Sequence, residues 1–439
     1  MYNDNIVNMK RREFVANSIL ASTATAFAPH FFIFPKRAKY RTALIGSGWW
    51  GLNILREGIR TGEVQVVALC DVDQNQLSKC KEEVDKLCND QPKTYTDFRE
   101  CLQKGKPDIV INATPDHWHA VIAIEAMKSG AHVYLEKPIS HTVKEGTAIE
   151  KVARDTKRIC IVGFHRRYSP HNVSGMEFLK SGKVGKIREV KAFVNYNFGK
   201  GRLEEQVNPP QGLDWDFWCG MAPLVPYNPS IHPRGFRQYM EFANGMIGDW
   251  GPHWFDQILW WTEEKAPKKI YSVQKGGWRE TRANAPEIQT AVFEFEEFTC
   301  TWEHSIVNPH NEIKTENVGV YFYGTEGVFH MGWQKGWTFF PNDKNKEAIH
   351  EDAQLNKPDD QNIDLVWKDF LACIQSGKLP FADIEKGRHA TNMSLLANIS
   401  AKVGRSIAWD YQKDQIINDK EANKLLVRAY RKPWEYPKW

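Results

Sequence analysis

Lys137, Asp249, His253 and Asp256 have the residue types and spacing for acid–base work on a substrate hydroxyl. Lys137 follows Glu136 just beyond the apolar run His132-Val133-Tyr134-Leu135. A lysine past the carboxyl end of a strand sits where ligands bind in open α/β sheets. Its ammonium can donate to a reacting oxygen and favour a developing alkoxide. His253 and Asp256 lie four and seven residues after Asp249, so on a helix the three share a face. A histidine near neutral pKa can take a hydroxyl proton while a neighbouring carboxylate orients it or holds the substrate. The plain alternatives are a surface lysine ending a strand, an aspartate that caps a helix and a packed core histidine.

A second group reads as a nucleotide cradle. The buried run Thr42-Ala43-Leu44-Ile45 leads into Gly46-Ser47-Gly48-Trp49-Trp50-Gly51, after which Leu52, Ile54, Leu55 and Ile59 continue at helical spacing. In a strand, glycine turn and helix of this kind, Gly46 makes the turn and Gly48 lets backbone approach a pyrophosphate. Gly51 lets helix and strand pack closely. Glycine turns are common for conformational reasons alone. Here, however, a further apolar run, Val64 to Cys70, ends at Asp71, twenty residues after Gly51, where an acid meets an adenosine ribose hydroxyl. A 2′-phosphate beside Asp71 would cost on the order of 4 kcal/mol per unit pair at an effective dielectric of about 20. Val72, Asp73 and Gln74 follow and supply no cation, so NAD is favoured over NADP.

These residues need a scaffold, and the pattern from Arg41 onward alternates strand and helix as a parallel, doubly wound sheet requires. Helices are expected over Asn75–Leu87 and Asp97–Lys104, then a strand over Asp108–Thr114. Asp116 is expected to cap a helix running from His117 to Lys128. Helix Val143–Thr156 and strand Ile159–Phe164 complete this half. Beyond Pro170, long strands dominate: Ile187–Phe198, Lys269–Trp278, Gln289–Phe295, Phe298–Glu303 and Val318–Tyr323. Their alternation marks a largely antiparallel sheet. Helices return at Asp364–Ser376 and Gly387–Val403. The stretch Gly248–Gln257 reads as a helix start with Asp249 at the cap and Pro252 in the first turn.

Composition sets outer limits. The 439 residues are 42% hydrophobic and 26% charged with a net charge of +4, which is globular material for two cores and a poor nucleic-acid binder. The eight cysteines form no CxxC pair and read as reduced; an oxidising compartment would leave Cys80 and Cys88 able to pair. No uncharged run reaches the length of a membrane span. Met9-Lys10-Arg11-Arg12-Glu13-Phe14, ahead of a mild Ala/Ser/Thr-rich run to Ala28, resembles a twin-arginine export signal, with Ala24-Thr25-Ala26 as a cleavage site. Residues 1–38 are therefore expected to be a leader and the protein periplasmic or otherwise exported; a basic tail on a cytoplasmic protein is the alternative.

Taken together, GSGWWG at 46–51, Asn112-Ala113-Thr114-Pro115 with His119, Glu136-Lys137-Pro138, Val162 to Pro170, and Asp249 with His253 and Asp256 resemble the glucose-fructose oxidoreductase, inositol dehydrogenase and rhizopine-catabolism (Gfo/Idh/MocA) family over roughly residues 41–410. The resemblance implies an α/β chain: a Rossmann NAD-binding domain over 39–164, then an α+β domain over 165–439 whose large, mostly antiparallel sheet binds substrate and builds a homodimer or homotetramer. It implies an NAD-dependent oxidoreductase acting on a sugar, glycoside or cyclitol, with Lys137, Asp249 and His253 catalytic. Thr114, Pro115, His119, Glu136 and Lys137 join Gly46 to Gly51 and Asp71 around the cofactor. Arg166, Trp250 and Asp256 face the substrate, although an ion pair is an equal role for Arg166. No metal is expected: His117 and His119 lack further ligands at suitable spacing, and the family works without one. Residues Pro209–Pro233, rich in Pro, Trp and Tyr, are expected to cover the mouth of the site. Because free NAD is scarce outside the cytoplasm, an exported enzyme is expected to hold its cofactor and recycle it, by hydride exchange between sugars or by transient oxidation that cleaves a glycoside.

Overall fold

Strand β1 (Tyr40–Ile45) ends in four buried residues, as a strand covered on both faces must. The computed structural model describes residues 39–195, 207–276, 283–306 and 316–437. The expected leader, and the predicted strand ends at Phe198 and Trp278, lie outside the described residues.

The first half runs β1, α1 (Trp49–Arg60), β2 (Val64–Cys70), α2 (Gln74–Leu87), β3 (Lys93–Tyr95), α3 (Phe98–Gly105), β4 (Ile109–Asn112), α4 (His119–Lys128), β5 (His132–Leu135), α5 (Val143–Thr156) and β6 (Cys160–Val162). All pairs in this sheet are parallel and the order is β3-β2-β1-β4-β5-β6. The order reverses between β1 and β4, which opens a crevice at their carboxyl ends. Caps hold the helices in place: Asp73 accepts from Asn75 N, Asp97 from Arg99 N, and Thr142 with Glu145 closes a capping box on α5.

Short helices α6 (His165–Tyr168) and α7 (Pro170–Lys180) lead to β7 (Ile187–Asn195), α8 (Trp215–Cys219) and the long α9 (Gly245–Thr262). There follow β8 (Lys269–Lys275), β9 (Ile288–Glu294), β10 (Thr299–Ser305), β11 (Val318–Gly324), β12 (Gly327–Gly332), β13 (Trp337–Pro341) and β14 (Ile349–Glu351). Helices α10 (Ile363–Ser376) and α11 (Ile384–Val403), strands β15 (Ile407–Asp410) and β16 (Gln415–Ile416), and α12 (Lys420–Lys424) complete the chain. The ten strands are ordered β14-β13-β12-β11-β7-β10-β9-β8-β15-β16. They pair antiparallel except β7 with β10, which run parallel through Thr299↔Glu189 to Ser305↔Asn195. Gly324-Thr325-Glu326-Gly327 makes the tight β11–β12 connection.

Helix α9 is apolar around nearly its whole circumference because it is enclosed: it packs on β7 and β10, on α6 and α7, and along α11. It starts at Gly245, four residues before Asp249, so the aspartate is inside the helix and not at its cap. Pro252 likewise lies well beyond the first turn, where proline is ordinarily tolerated. A second correction concerns Asp116. Residues Asp116–Trp118 form a 3-10 turn and α4 begins only at His119, so the Asp116 carboxylate does not cap the helix.

Candidate active site

The carboxyl ends of the first sheet meet the start of α9 across a cleft of about 740 Å³. Gly46 follows β1 with φ +90°, and a Cβ there would lie 2.6 Å from the Ala113 carbonyl oxygen on the neighbouring loop. Only glycine fits. A Cβ on Gly51 would meet the Gly46 carbonyl at 2.2 Å, so turn and helix touch through that missing side chain. Gly48 differs: nothing stands within 4 Å of its Cβ position. That open space sits at the N-cap of α1, where no side chain caps the helix. Free amides with open space before them suit an anion such as a diphosphate. The Asp71 carboxylate lines the same wall and accepts from Ser47 N at 2.8 Å and Asp73 N at 3.0 Å. Burial raises its pKa to about 6 against those hydrogen bonds. Ser47 itself turns inward, with its hydroxyl on the Cys70 carbonyl. These features fit a dinucleotide.

Trp49, Trp50, Thr114, Pro115, His119, Glu136 and Lys137 line the cleft as well. His119 ties two of its loops together: Nδ1 lies 2.6 Å from the Pro138 carbonyl and Nε2 2.8 Å from that of Thr114. Burial lowers its pKa to about 4. Glu136 is buried behind the turn, and burial pushes its carboxyl up to about 7 although Lys137 and the Trp50 side chain act to lower it.

At the other end Lys137 Nζ donates to Asp249 Oδ1 at 2.8 Å and to the Asp249 carbonyl at 3.1 Å. Arg237 Nε approaches the same Oδ1 at 3.0 Å. Burial alone would raise the Asp249 pKa, but the Arg237 and Lys137 charges outweigh it and hold the carboxyl well below the usual range. His253, one turn further along α9, is 5% exposed with no protein partner for Nδ1. Burial, reinforced by Lys137, His165 and Arg166, keeps its ring neutral far below the ordinary histidine pKa. Around it stand Trp333 at 5.0 Å between ring centroids, His165 at 5.2 Å and Trp250 at 6.1 Å.

Two expected substrate residues are not on this wall. Asp256 is claimed by Arg167, whose Nη2 and Nε reach its oxygens at 2.6 to 3.1 Å, both side chains being buried. A heptad spacing put Asp256 near the right face of α9, but α6 supplies it with a partner away from the cleft. Arg166 lies behind Trp333, its guanidinium 3.9 Å from that ring centroid, and has no ion-pair partner among the described residues. Trp250 does line the cleft.

Asp116, Arg234, Arg237 and Trp333 are among the cleft residues that the sequence pattern does not place there. Asp116 is buried, and burial raises its carboxyl to about 7 despite Arg237. Arg234 and Arg237 lie just beyond Pro233, where the segment expected to cover the mouth ends, and their charge is the available signal. The insertion lies along the nucleotide side. Gln74 N donates to Gly212 O, Asp214 N to Val72 O, and His232 Nε2 stands 2.8 Å from Asp73 Oδ2. Among the described residues, no group of three or more His, Cys, Asp or Glu side chains is placed to hold a metal.

Residues 40–164 match the family model described as "Oxidoreductase family, NAD-binding Rossmann fold", and residues 185–436 match "Oxidoreductase family, C-terminal alpha/beta domain". A "Glycosyl hydrolase family 109 protein" of Stenotrophomonas maltophilia is 32% identical over 212 residues, 47% of this chain and 46% of that protein. An "Alpha-N-acetylgalactosaminidase" of Shewanella oneidensis is 29% identical over 184 residues, covering 39% and 40%. The matched stretch thus spans less than half of either relative. Among solved structures, aldose-aldose oxidoreductase from Caulobacter crescentus, complexed with glycerol, superposes with TM-score 0.65 at 17% identity, over 84% of this chain and 99% of that one. Levoglucosan dehydrogenase, complexed with NADH and levoglucosan, gives 0.66 at 14% identity over 84% and 99%. At these identities the structures establish the fold, while the two family models establish descent. The chain belongs to the Gfo/Idh/MocA oxidoreductase family and carries its NAD-binding Rossmann domain.

Proposed function

We propose that the protein moves a hydride between NAD and a hydroxyl-bearing carbon of a sugar, glycoside or cyclitol, with Lys137, Asp249 and His253 at the reacting end. The observation that carries this reading is Lys137 Nζ at 2.8 Å from Asp249 Oδ1, with His253 one turn along, on the wall of the cleft that also holds Gly48 and Asp71. NAD, when bound, supplies the hydride acceptor. Lys137 donates to the substrate oxygen and stabilises its alkoxide character. Asp249, anchored by Arg237, fixes the direction of that ammonium. Neutral His253 takes the hydroxyl proton at a ring nitrogen. Gly46, Gly48 and the start of α1 seat the diphosphate, and Asp71 faces the adenosine ribose, which favours NAD over NADP. The sugar specificity is supported by the aldose and levoglucosan enzymes that share the fold.

A second reading, NAD-assisted glycoside cleavage through transient oxidation, is favoured by the relatives named as glycosidases and by one feature of the cleft. Hydride transfer needs one base and one oxygen-polarising cation, yet Asp116 and Glu136 add two carboxyls with pKa values near 7. A carbon acid beside a transient carbonyl and a departing glycosidic oxygen would each need such a group. The insertion bound across Val72–Asn75 supports a cofactor kept through the cycle. Export through the twin-arginine leader and assembly into a dimer or tetramer are part of the same proposal.

The test is to denature protein purified without added nucleotide and identify what it releases by mass spectrometry, then to screen glycosides for ketone formation and aglycone release. NAD in the wild type is expected. Lys137→Ala should retain NAD yet lose turnover by about 10²- to 10³-fold. Aglycone release without net NADH selects the second reading. A protein that binds no nicotinamide dinucleotide and changes no glycoside refutes both.

A further inference from the structure

Three cations stand on the cleft wall among the described residues: Lys137, Arg234 and Arg237. Two are already used, because Lys137 and Arg237 share Asp249. Arg234 has no carboxylate within ion-pair range among the described residues. It is held instead by stacking, its guanidinium carbon 4.9 Å from the centroid of Trp49. Trp49 is the first residue of α1, directly after Gly48 and its open space. An exposed indole, 57% accessible, thus presents a cation at the N-terminus of α1, which no side chain caps.

Arg234 reaches this place because its own segment is fixed on both sides. Two residues earlier His232 pairs with Asp73. Three residues later Arg237 pairs with Asp249, and its Nη1 also donates to the Arg234 carbonyl. Residues 232–237 therefore cross the cleft from the ribose side to the reacting end, with Arg234 between them. A dinucleotide diphosphate carries two negative charges, and the glycine turn offers it amides but no charge.

We propose that Arg234 is the counter-ion of the cofactor diphosphate, a binding residue delivered by residues 232–237, so that laying this segment over the cleft and neutralising the phosphates are one event. The inference rests on the reading that NAD occupies the cleft. A 2′-phosphate at the ribose end could draw on the same cation, so the test separates the two phosphates.

NAD retention by the purified holoprotein is followed by repeated desalting at low and high ionic strength. ADP, adenosine and adenosine 2′-phosphate are then titrated as competitors. Arg234→Gln should release NAD roughly ten- to a hundred-fold faster, the range for losing a charge-assisted contact. It should also lose most of the salt sensitivity that the wild type shows, while Arg234→Lys keeps it. ADP should weaken by a similar factor, with adenosine unchanged. Arg60→Gln, at the far end of α1, should behave as wild type in every arm. Equal NAD retention by Arg234→Gln and wild type would overturn the inference alone. So would a loss confined to adenosine 2′-phosphate, which would assign Arg234 to the ribose. A wild type that neither carries nor takes up NAD would instead defeat the functional reading beneath it.

Discussion

Asp249 holds two cations at once, Lys137 Nζ at 2.8 Å and Arg237 Nε at 3.0 Å, and this makes it a fixed negative charge and not a base. Burial brings two further carboxyls of the cleft, Asp116 and Glu136, up to about 7. Asp116 gives a pH test with a definite sign. Its folded pKa of about 7 exceeds the ordinary 3.8 because burial disfavours the charged form. Between those values the folded protein keeps a proton that the unfolded chain has released, so this group's contribution to stability falls as pH rises. Asp116→Asn removes the effect. In urea titrations of cofactor-free protein, the mutant should gain on wild type by roughly 2 kcal/mol between pH 5 and pH 8. A difference that stays constant with pH would contradict the assignment. Lys137, Asp249 and His253 were legible in the sequence because type, spacing and strand position mark them. Arg237 and Asp116 were not, since each depends on an approach between segments far apart in the chain. Asp256 misled for the same reason: spacing along α9 says nothing about Arg167, which arrives from α6 and takes the carboxylate.

Individual elements show where local rules suffice. The turn from β1 to α1 is legible in sequence, although α1 begins at Trp49 inside the glycine stretch, and Gly46 and Gly48 should separate its two jobs. Gly46→Ala needs φ +90° and meets the Ala113 carbonyl, so it should cost about 2–4 kcal/mol in folding stability by denaturant titration. Gly48→Ala meets nothing and should fold normally, yet its added methyl stands in the space assigned to the diphosphate, so NAD retention should fall. Equal stability losses in the two would mean that Gly48 is structural. Helix α9 was placed too late because Pro252 ordinarily signals a first turn. Burial on all sides by α6, α11 and the second sheet lets the helix tolerate it. The second sheet was read as largely antiparallel from alternation alone; alternation cannot reveal that β10 lies beside β7 in parallel.

Across the whole molecule, residues 428–434 pack behind the aromatic side chains at the nucleotide end of the cleft. Trp434 stacks on Phe217 at 5.6 Å and 11° and meets Trp118 edge-on at 4.8 Å. Phe98 lies 6.4 Å away, and all three partners line the cleft. Arg428 bonds Glu145 and the His117 carbonyl, while Arg431 holds the carbonyls of Gly220 and Ala222. Trp434→Ala should therefore lower stability by about 2–3 kcal/mol and shorten NAD retention, with Trp434→Phe restoring most of both. Unaltered retention in Trp434→Ala would show that the arm only packs. No sequence pattern announced this arm, because its partners lie some 200 to 330 residues earlier in the chain. The two-half architecture is legible, since it follows from the change of strand and helix rhythm beyond Pro170.

The proposed mechanism requires that a hydride leave a carbohydrate carbon in a cleft whose floor is Gly48 and whose far wall is Lys137 and His253. Holoprotein incubated with sugars and glycosides deuterated at their carbinol carbons, followed by mass spectrometry of the released nicotinamide dinucleotide, tests it directly. The account predicts deuterium on the nicotinamide ring with the wild type and none with Lys137→Ala. Consumption of substrate by the wild type with no deuterium ever reaching the dinucleotide would contradict it.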